Sequence, residues 1–314
     1  MAEFSPMMQH YLATKKQYND CILFYRLGDF YEMFFDDAIT VSKELELTLT
    51  GKDCGQEERA PMCGVPFHAA ETYINRLVSN GHKVAICEQM EDPKLAKGIV
   101  KREVIKVVTP GTNLNAQALD ETKNNYLFCI YYQGDVIGVS ICDFSTGDYF
   151  VTELKSENEL IDEINKFVPS EIIVNEYFAM SGIDLTAVNE KLNISMSTLE
   201  NWYFDEDSSI KKLLSHFKIS ALDGLGVKDY PTGIIAAGAL LTYLYETQKS
   251  DMSHIITLTP YTTGKYMLID SSSRRNLELV ETLREKQKRG SLIWVLDKTK
   301  TAMGARALRS MIEQ

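Results

Sequence analysis

A dense β-forming segment followed by a tight bend, residues 21–35 (CILFYRLGDFYEMFF), constrains the fold most strongly. Its first seven residues are typical of a buried strand, and Gly28 with Asp29 allows the chain to bend. The acidic pair that follows can cap a helix running to about Leu47. This local pattern predicts a strand, a bend and a helix within a small mixed α/β domain.

The segment after the bend has two interpretations. If it is extended, Phe30 and Glu32 share one face while Tyr31 and Met33 share the other. Pattern alone favours a core aromatic at Phe30 and a solvated acid at Glu32. The alternative is an exposed aromatic beside a hydrogen-bonding acid, because an apolar ring can wedge into a base step and kink a duplex. The residues alone leave both open.

The rest of the chain alternates helix-like and strand-like segments. Ser5 before Pro6 predicts a helix start, and two or three adjacent strands with hairpin turns are expected from about residue 118. Further predictions are helices at 68–81, 157–167, 233–248, 273–287 and 301–313, and strands at 83–89, 170–175 and 265–270.

A length of 314 residues predicts two or three domains, which we place at 1–115, 116–250 and 251–314. The predicted fold class is α/β (α+β). The net charge of −11 divides among these domains as −3, −12 and +4. The first and third domains can therefore still bind a polyanion. The six cysteines lack metal or redox spacing, which predicts reduced, mostly buried thiols.

Motifs for catalysis are scarce. The sequence contains no GxxxxGK[ST], HExxH or GxSxG, and GLGVKD (224–229) lacks the third glycine of a dinucleotide site. Asp143 lies near a hairpin turn, where an Asp usually accepts from backbone amides, although a metal nuclease built on it is an alternative. Neither a membrane-length apolar run nor a signal peptide is evident, so a cytoplasmic location is expected without membrane partners.

Four motifs in the first domain carry a family resemblance: FYRLGDFYEMFFDDA (24–38), PMCGVPFHA (61–69), VAICEQ (84–89) and VVTPGT (107–112). They resemble the mismatch-recognition domain of the MutS family of DNA mismatch repair proteins. DFSTG (143–147), DSSSRRNLEL (270–279) and LDKTKTAMGARALR (296–309) extend the resemblance over the whole chain. It implies a mixed α/β mismatch-recognition domain, a ribonuclease-H-like connector domain and the start of a helical core domain.

The resemblance assigns roles to residues of the first domain. It implies that Phe30 stacks on a mispaired or unpaired base from the minor groove, and that Glu32 hydrogen-bonds that base. Gly28 and Asp29 shape the bend that presents them. Backbone contacts are expected from the basic residues Lys52, Lys101, Arg102 and Lys106, for which ordinary solvated side chains remain the alternative.

The resemblance also implies partners. These are double-stranded DNA with mismatches or small bulges, the MutL protein through the connector, and a second copy in a full-length homodimer. ATP and magnesium belong to the full-length family protein, so this chain is expected to be an N-terminal piece with neither cofactor nor enzyme activity. The remaining alternatives are an interaction scaffold anchored by Phe30, and a ribonuclease-H-like nuclease using Asp143.

Overall fold

The structure, a computed structural model, describes residues 4–91, 98, 100–114, 122–263, 269 and 271–313. Contacts between Cα atoms divide the chain into two compact units, Met1–Asn113 with Tyr245–Ser250 and Leu114–Leu244 with Asp251–Gln314. Each unit contains a mixed sheet with helices, which confirms the predicted α/β class.

In the first unit, helices and strands follow the order α1 (Pro6–Gln17), β1 (Cys21–Leu27), β2 (Phe30–Phe34), α2 (Phe35–Leu45), β3 (Thr50–Lys52), β4 (Ala60–Pro66), α3 (Ala70–Ser79), β5 (Lys83–Gln89) and β6 (Arg102–Val108). The strands form one sheet in the order β3-β4-β2-β1-β5-β6. Strands β1 and β5 run parallel, and the other neighbours run antiparallel.

Both faces of this sheet are covered, because alternate residues of β1 enter different cores. Ile22 and Phe24 pack with α2 and α3, whereas Leu23 and Tyr25 pack with α1. Helix α1 begins as predicted, since the Ser5 hydroxyl accepts from the N–H of Met8 and Pro6 occupies its first turn. All six cysteines of the chain are buried and free of disulfides, which confirms that prediction.

In the second unit the elements are β7 (Tyr126–Tyr132), β8 (Ile137–Asp143), β9 (Asp148–Leu154), α4 (Glu157–Phe167), β10 (Glu171–Asn175), α5 (Glu176–Met180), α6 (Thr186–Leu192), β11 (Ser195–Leu199), α7 (Glu206–Phe217), α8 (Pro231–Gln248), β12 (Thr259–Pro260), α9 (Ser271–Asn276), α10 (Leu292–Leu296) and α11 (Ala302–Glu313). The sheet order is β11-β10-β7-β8-β9-β12.

Strands β7, β8 and β9 form an antiparallel meander, and β10 and β11 continue parallel to β7 on its other side. Helix α8 lies directly against this sheet: a Cβ at Gly138 would meet the carbonyl oxygen of Thr232 at 2.4 Å, so this close approach requires glycine.

The predicted helix at 273–287 is wrong beyond Asn276, where α9 ends. Glu278 adopts a left-handed backbone with φ +48°, which turns the chain out of the helix. Its side chain then accepts from the N–H of Leu283 at 2.7 Å and stabilises the turn. The predicted helix at 301–313 is confirmed as α11, whereas the predicted strand at 265–270 lies, apart from Ile269, outside the described residues.

Candidate nucleic-acid interface

A tight hairpin joins β1 to β2 at one end of the first sheet. Leu27 pairs with Phe30, so the loop consists of Gly28 and Asp29 alone. Gly28 has a φ of +59°, and a positive φ at the first loop position is what a two-residue type II′ turn requires. The N–H of Phe67 also donates to the carbonyl of Asp29 at 3.0 Å. Backbone geometry and this hydrogen bond therefore fix the tip of the hairpin.

The side chains of β2 alternate across the sheet, as the sequence predicted for an extended segment. Tyr31 and Met33 are buried against α2 and α3. On the opposite face, Phe30 is 46% exposed and Glu32 is half-buried. This corrects the core position that pattern alone favoured for Phe30. The hairpin presents an aromatic ring to solvent with a carboxylate two residues away on the same face.

The buried face of β2 is tied to its neighbours by polar contacts. The Tyr31 hydroxyl donates to Glu88 Oε2 at 2.6 Å, and Arg26 Nη1 lies 3.5 Å from the same oxygen. Burial and the hydrogen bond to Glu88 both raise the pKa of Tyr31. The Arg26 guanidinium lies 3.8 Å from the ring centroid of Phe67, a cation–π contact. These contacts hold the strand that carries Phe30 and Glu32.

Glu32 has a cationic partner. Lys52 Nζ donates to Glu32 Oε2 at 2.5 Å, and the two side chains are 31% and 15% exposed respectively. Gly64 pairs with Glu32 across the strands, and a Cβ there would lie 3.5 Å from Glu32 Cγ and 3.2 Å from the carbonyl oxygen of Tyr31. The close contact would be with the Tyr31 carbonyl oxygen, whereas the distance to Glu32 Cγ is an ordinary van der Waals contact.

Arg102 does not occupy the exposed position expected of a phosphate contact. It is 8% exposed, and its Nε donates to the Arg26 carbonyl at 2.8 Å while its Nη1 donates to the Val100 carbonyl at 2.9 Å. Its Nη2 lies 3.4 Å from the Gln89 side-chain oxygen. The guanidinium therefore ties β6 to β1 inside the protein, which corrects the expectation for this residue.

The remaining sequence-predicted residues divide by exposure. Asp29 is exposed at the hairpin tip, and Lys101 is exposed with its Nζ 2.7 Å from Glu103 Oε1. Lys106 is half-buried, and burial lowers the pKa of its ammonium. The structure thus groups four of the predicted residues around the hairpin: Asp29, Phe30, Glu32 and Lys52. The described contacts of Lys101 and Lys106 do not involve these four residues.

Sequence reasoning missed two residues that shape this group. Phe67 is 44% exposed, donates its N–H to the hairpin tip and stacks on Arg26. Gly64 lets β4 approach the backbone of β2 closely at Tyr31 and Glu32. A pairing of PMCGVP against the strand at Phe30 could have revealed both, because antiparallel register places Pro66 opposite Phe30 and Gly64 opposite Glu32.

Asp143 in the second unit is buried and fully engaged. It accepts from Asn124 Nδ2 at 2.7 Å, from the Asn125 N–H at 3.1 Å, and from the Ser145 N–H and hydroxyl at 2.8 and 2.6 Å. Among the described residues there is also no group of three or more His, Cys, Asp or Glu side chains suited to a metal ion. The geometry therefore assigns Asp143 to its turn and gives no support to the nuclease alternative.

Within the described part of the chain, the helices are all too short or too polar to cross a membrane.

Three family models match this sequence in order. The models described as MutS domain I, MutS domain II and MutS domain III match residues 5–117, 125–256 and 272–314 respectively. The first match contains the hairpin and all its contacts described above, and the second contains Asp143.

Curated relatives named DNA mismatch repair protein MutS align over the whole chain. The protein of Lachnoclostridium phytofermentans is 65% identical over 314 residues, that of Ruminiclostridium cellulolyticum 55% over 317, and that of Acetivibrio thermocellus 54% over 318. Each alignment covers 100% of this chain but only 34%, 36% and 36% of the relative. The chain therefore spans about a third of the length of these relatives.

A solved structure of T. thermophilus RuvC in complex with a Holliday junction substrate aligns with 38% of this chain and 94% of that chain. Its sequence identity is 14% and its TM-score of 0.28 is too low for further comparison.

Proposed function

The chain belongs to the MutS family of DNA mismatch repair proteins, and on this premise we propose that its first domain recognises mispaired or unpaired bases by inserting Phe30 into the minor groove of duplex DNA. The single observation that carries the proposal is the exposed Phe30 ring on a hairpin whose opposite face is buried. An apolar ring held in this way can enter a base step without losing core packing.

The physical basis for selectivity is the deformability of the DNA. Wedging a side chain between bases requires unstacking, which costs a few kcal/mol at a paired step. A mismatched or bulged step is already poorly paired and stacked, so bending and unstacking it costs less. Phe30 therefore favours mismatched DNA even where it forms no base-specific hydrogen bond.

Glu32 supplies the hydrogen bond in this proposal. It lies on the same face as Phe30, two residues along the strand, so a base that stacks on the ring comes within reach of the carboxyl group. An ionised Glu32 repels the phosphates of a perfect duplex, whereas at a mispaired base its carboxyl group can form a hydrogen bond. Asp29 contributes by shaping the turn that presents the ring.

Among the basic residues, Lys101 is the one we propose as a phosphate contact, supported by its exposure. Lys106 is a weaker candidate because it is half-buried, and Arg102 stabilises the domain from inside.

The wider assignments rest on the family and on the length of its members. We propose domains at 1–115, 116–250 and 251–314, and the ranges matched by the three family models support this division. The ATPase with its magnesium is assigned to the two thirds of the relatives that this chain does not cover. MutL binding through the acidic second domain, homodimer formation and a cytoplasmic location complete the proposal.

The substitution Phe30→Ala, made in the full-length protein that contains this sequence, tests the proposal. We expect the ratio of Kd values for matched and G·T or one-base-bulge duplexes to fall by about tenfold or more, because stacking of a base on an aromatic ring contributes about 1–3 kcal/mol. Fluorescence anisotropy titrations give both constants.

Ile105→Ala is the matched control, since Ile105 is 43% exposed on the far edge strand of the same sheet. It is expected to leave the ratio unchanged. Unchanged discrimination in Phe30→Ala would refute the wedge. Binding that is insensitive to salt would instead favour the protein scaffold, because contacts to phosphates weaken steeply as ionic strength rises.

A further inference from the structure

Lys52 forms an ion pair with the acid of the proposed wedge, and this pairing suggests a role other than phosphate contact. We propose that Lys52 is a positioning residue: it holds the Glu32 carboxyl group in place and thereby sets the preference for mismatched over matched DNA. The inference rests on the function proposed above, and it concerns a part of the site that the wedge itself does not explain.

The sheet is arranged so that Lys52 reaches Glu32 across an intervening strand. Lys52 on β3 pairs with Ala60 of β4, and Gly64 of β4 pairs with Glu32 of β2. Directly opposed residues and residues two or four apart in a strand share a face, so these four lie on the same side of the sheet. Ala60 and Gly64 are small, and Met62 lies between them on the same face.

The surroundings of the ammonium favour this pair over a contact with DNA. Lys52 Nζ lies 2.5 Å from Glu32 Oε2 and 5.7 Å from the ring centroid of Phe34. A lysine carries one compact charge, which the acid and the ring already attract from two sides. Moving it to a phosphate would leave a carboxylate that is only 15% exposed without its counter-ion.

The pair leaves a defined role for each carboxylate oxygen. Lys52 binds Oε2, so Oε1 is the oxygen that remains for a base. Without Lys52, the carboxylate is free to change rotamer and carries an uncompensated charge.

A double-mutant cycle separates positioning from phosphate contact. We expect Lys52→Met to lower the matched-to-mismatched Kd ratio by about tenfold, the effect of losing one charge-assisted hydrogen bond. Lys52→Arg keeps the charge and the reach to Glu32, and should retain most of the preference. In a Glu32→Gln background, Lys52→Met should cause no further loss, because the group it positions is already altered.

Salt dependence provides the second readout. A residue that contacts a phosphate contributes about one unit to the slope of log K against log salt concentration. We expect Lys52→Met to leave that slope unchanged, and thermal unfolding should show that the variants remain folded.

Two results would overturn the inference. One is equal weakening of matched and mismatched binding in both backgrounds with a reduced salt slope, which identifies a phosphate contact. The other is no change in preference. The Phe30→Ala variant, measured alongside, distinguishes the two proposals: if it loses the preference while Lys52→Met retains it, the wedge stands and only the role of Lys52 fails.

Discussion

Two acids beside hairpin turns, Glu32 in the first unit and Asp143 in the second, have opposite surroundings. Asp143 is buried and accepts four hydrogen bonds from Asn124, Asn125 and Ser145. Glu32 is half-buried and has Lys52 as its partner among the described residues. Glu32 follows the turn between β1 and β2, and Asp143 precedes the turn between β8 and β9. Proximity to a turn therefore does not distinguish them.

The difference lies in how much acceptor capacity each carboxylate has left. An ionised carboxylate offers about four lone-pair sites. The donors around Asp143 fill them from its own turn and the preceding segment, so the group is structural. Glu32 has a described hydrogen bond through Oε2 only, and it lies on the same face as the exposed Phe30 ring, so we expect Oε1 to accept a ligand.

Alanine substitution at each acid should separate the two roles most clearly. We expect Asp143→Ala to lower the free energy of unfolding by about 3 kcal/mol, because it leaves several buried donors without an acceptor. Glu32→Ala should lower it by less than about 1 kcal/mol, since the ion pair it removes is partly solvated. Urea denaturation followed by circular dichroism measures both values.

Asp143→Asn serves as the control for side-chain volume. It keeps one acceptor oxygen but turns a donor toward other donors, so its loss should be comparable to that of Asp143→Ala. Equal destabilisation by the substitutions at Glu32 and Asp143 would contradict the contrast between the two acids.

A smaller effect is expected from a side chain at Gly64, which lies opposite Glu32 and close to the Tyr31 backbone. Gly64→Ala places a Cβ 3.2 Å from the Tyr31 carbonyl oxygen and 3.5 Å from Glu32 Cγ, so we expect a loss of about 1 kcal/mol in stability and a weaker mismatch preference. Gly224→Ala is the control, because a Cβ there meets nothing within 4 Å. Denaturation and anisotropy titration together test this. An unchanged preference would mean that the carboxyl group tolerates displacement.

Local sequence patterns predicted the parts of the fold and site that depend on neighbouring residues. The alternation of Phe30 and Glu32 with Tyr31 and Met33 follows from strand geometry alone. Which face would be buried did not follow from it, because hydrophobicity placed Phe30 in the core. Family resemblance, rather than pattern, identified the exposed ring.

Contacts between distant segments were beyond local reasoning. The pair Lys52–Glu32 depends on the register of β3, β4 and β2, which no single segment specifies. Arg102 looked exposed in a basic segment, yet its side chain points inward at an alternate position of β6 and binds the backbone of Arg26. A basic residue in a strand can therefore be a structural tie, and exposure must be known before it is assigned to DNA.

The smallest effect on stability is expected at Lys101, because both side chains of its ion pair with Glu103 are exposed. Lys101→Ala should leave the free energy of unfolding unchanged within error, because water replaces the partner of Glu103 readily. If Lys101 contacts a phosphate, matched and mismatched duplexes should bind equally more weakly, and the salt slope should fall by about one unit. Glu103→Gln is the control: it removes the competing anion, so binding should hold or strengthen. A change in the ratio of the matched and mismatched Kd values would contradict the assignment, because a contact to a phosphate does not depend on the neighbouring base.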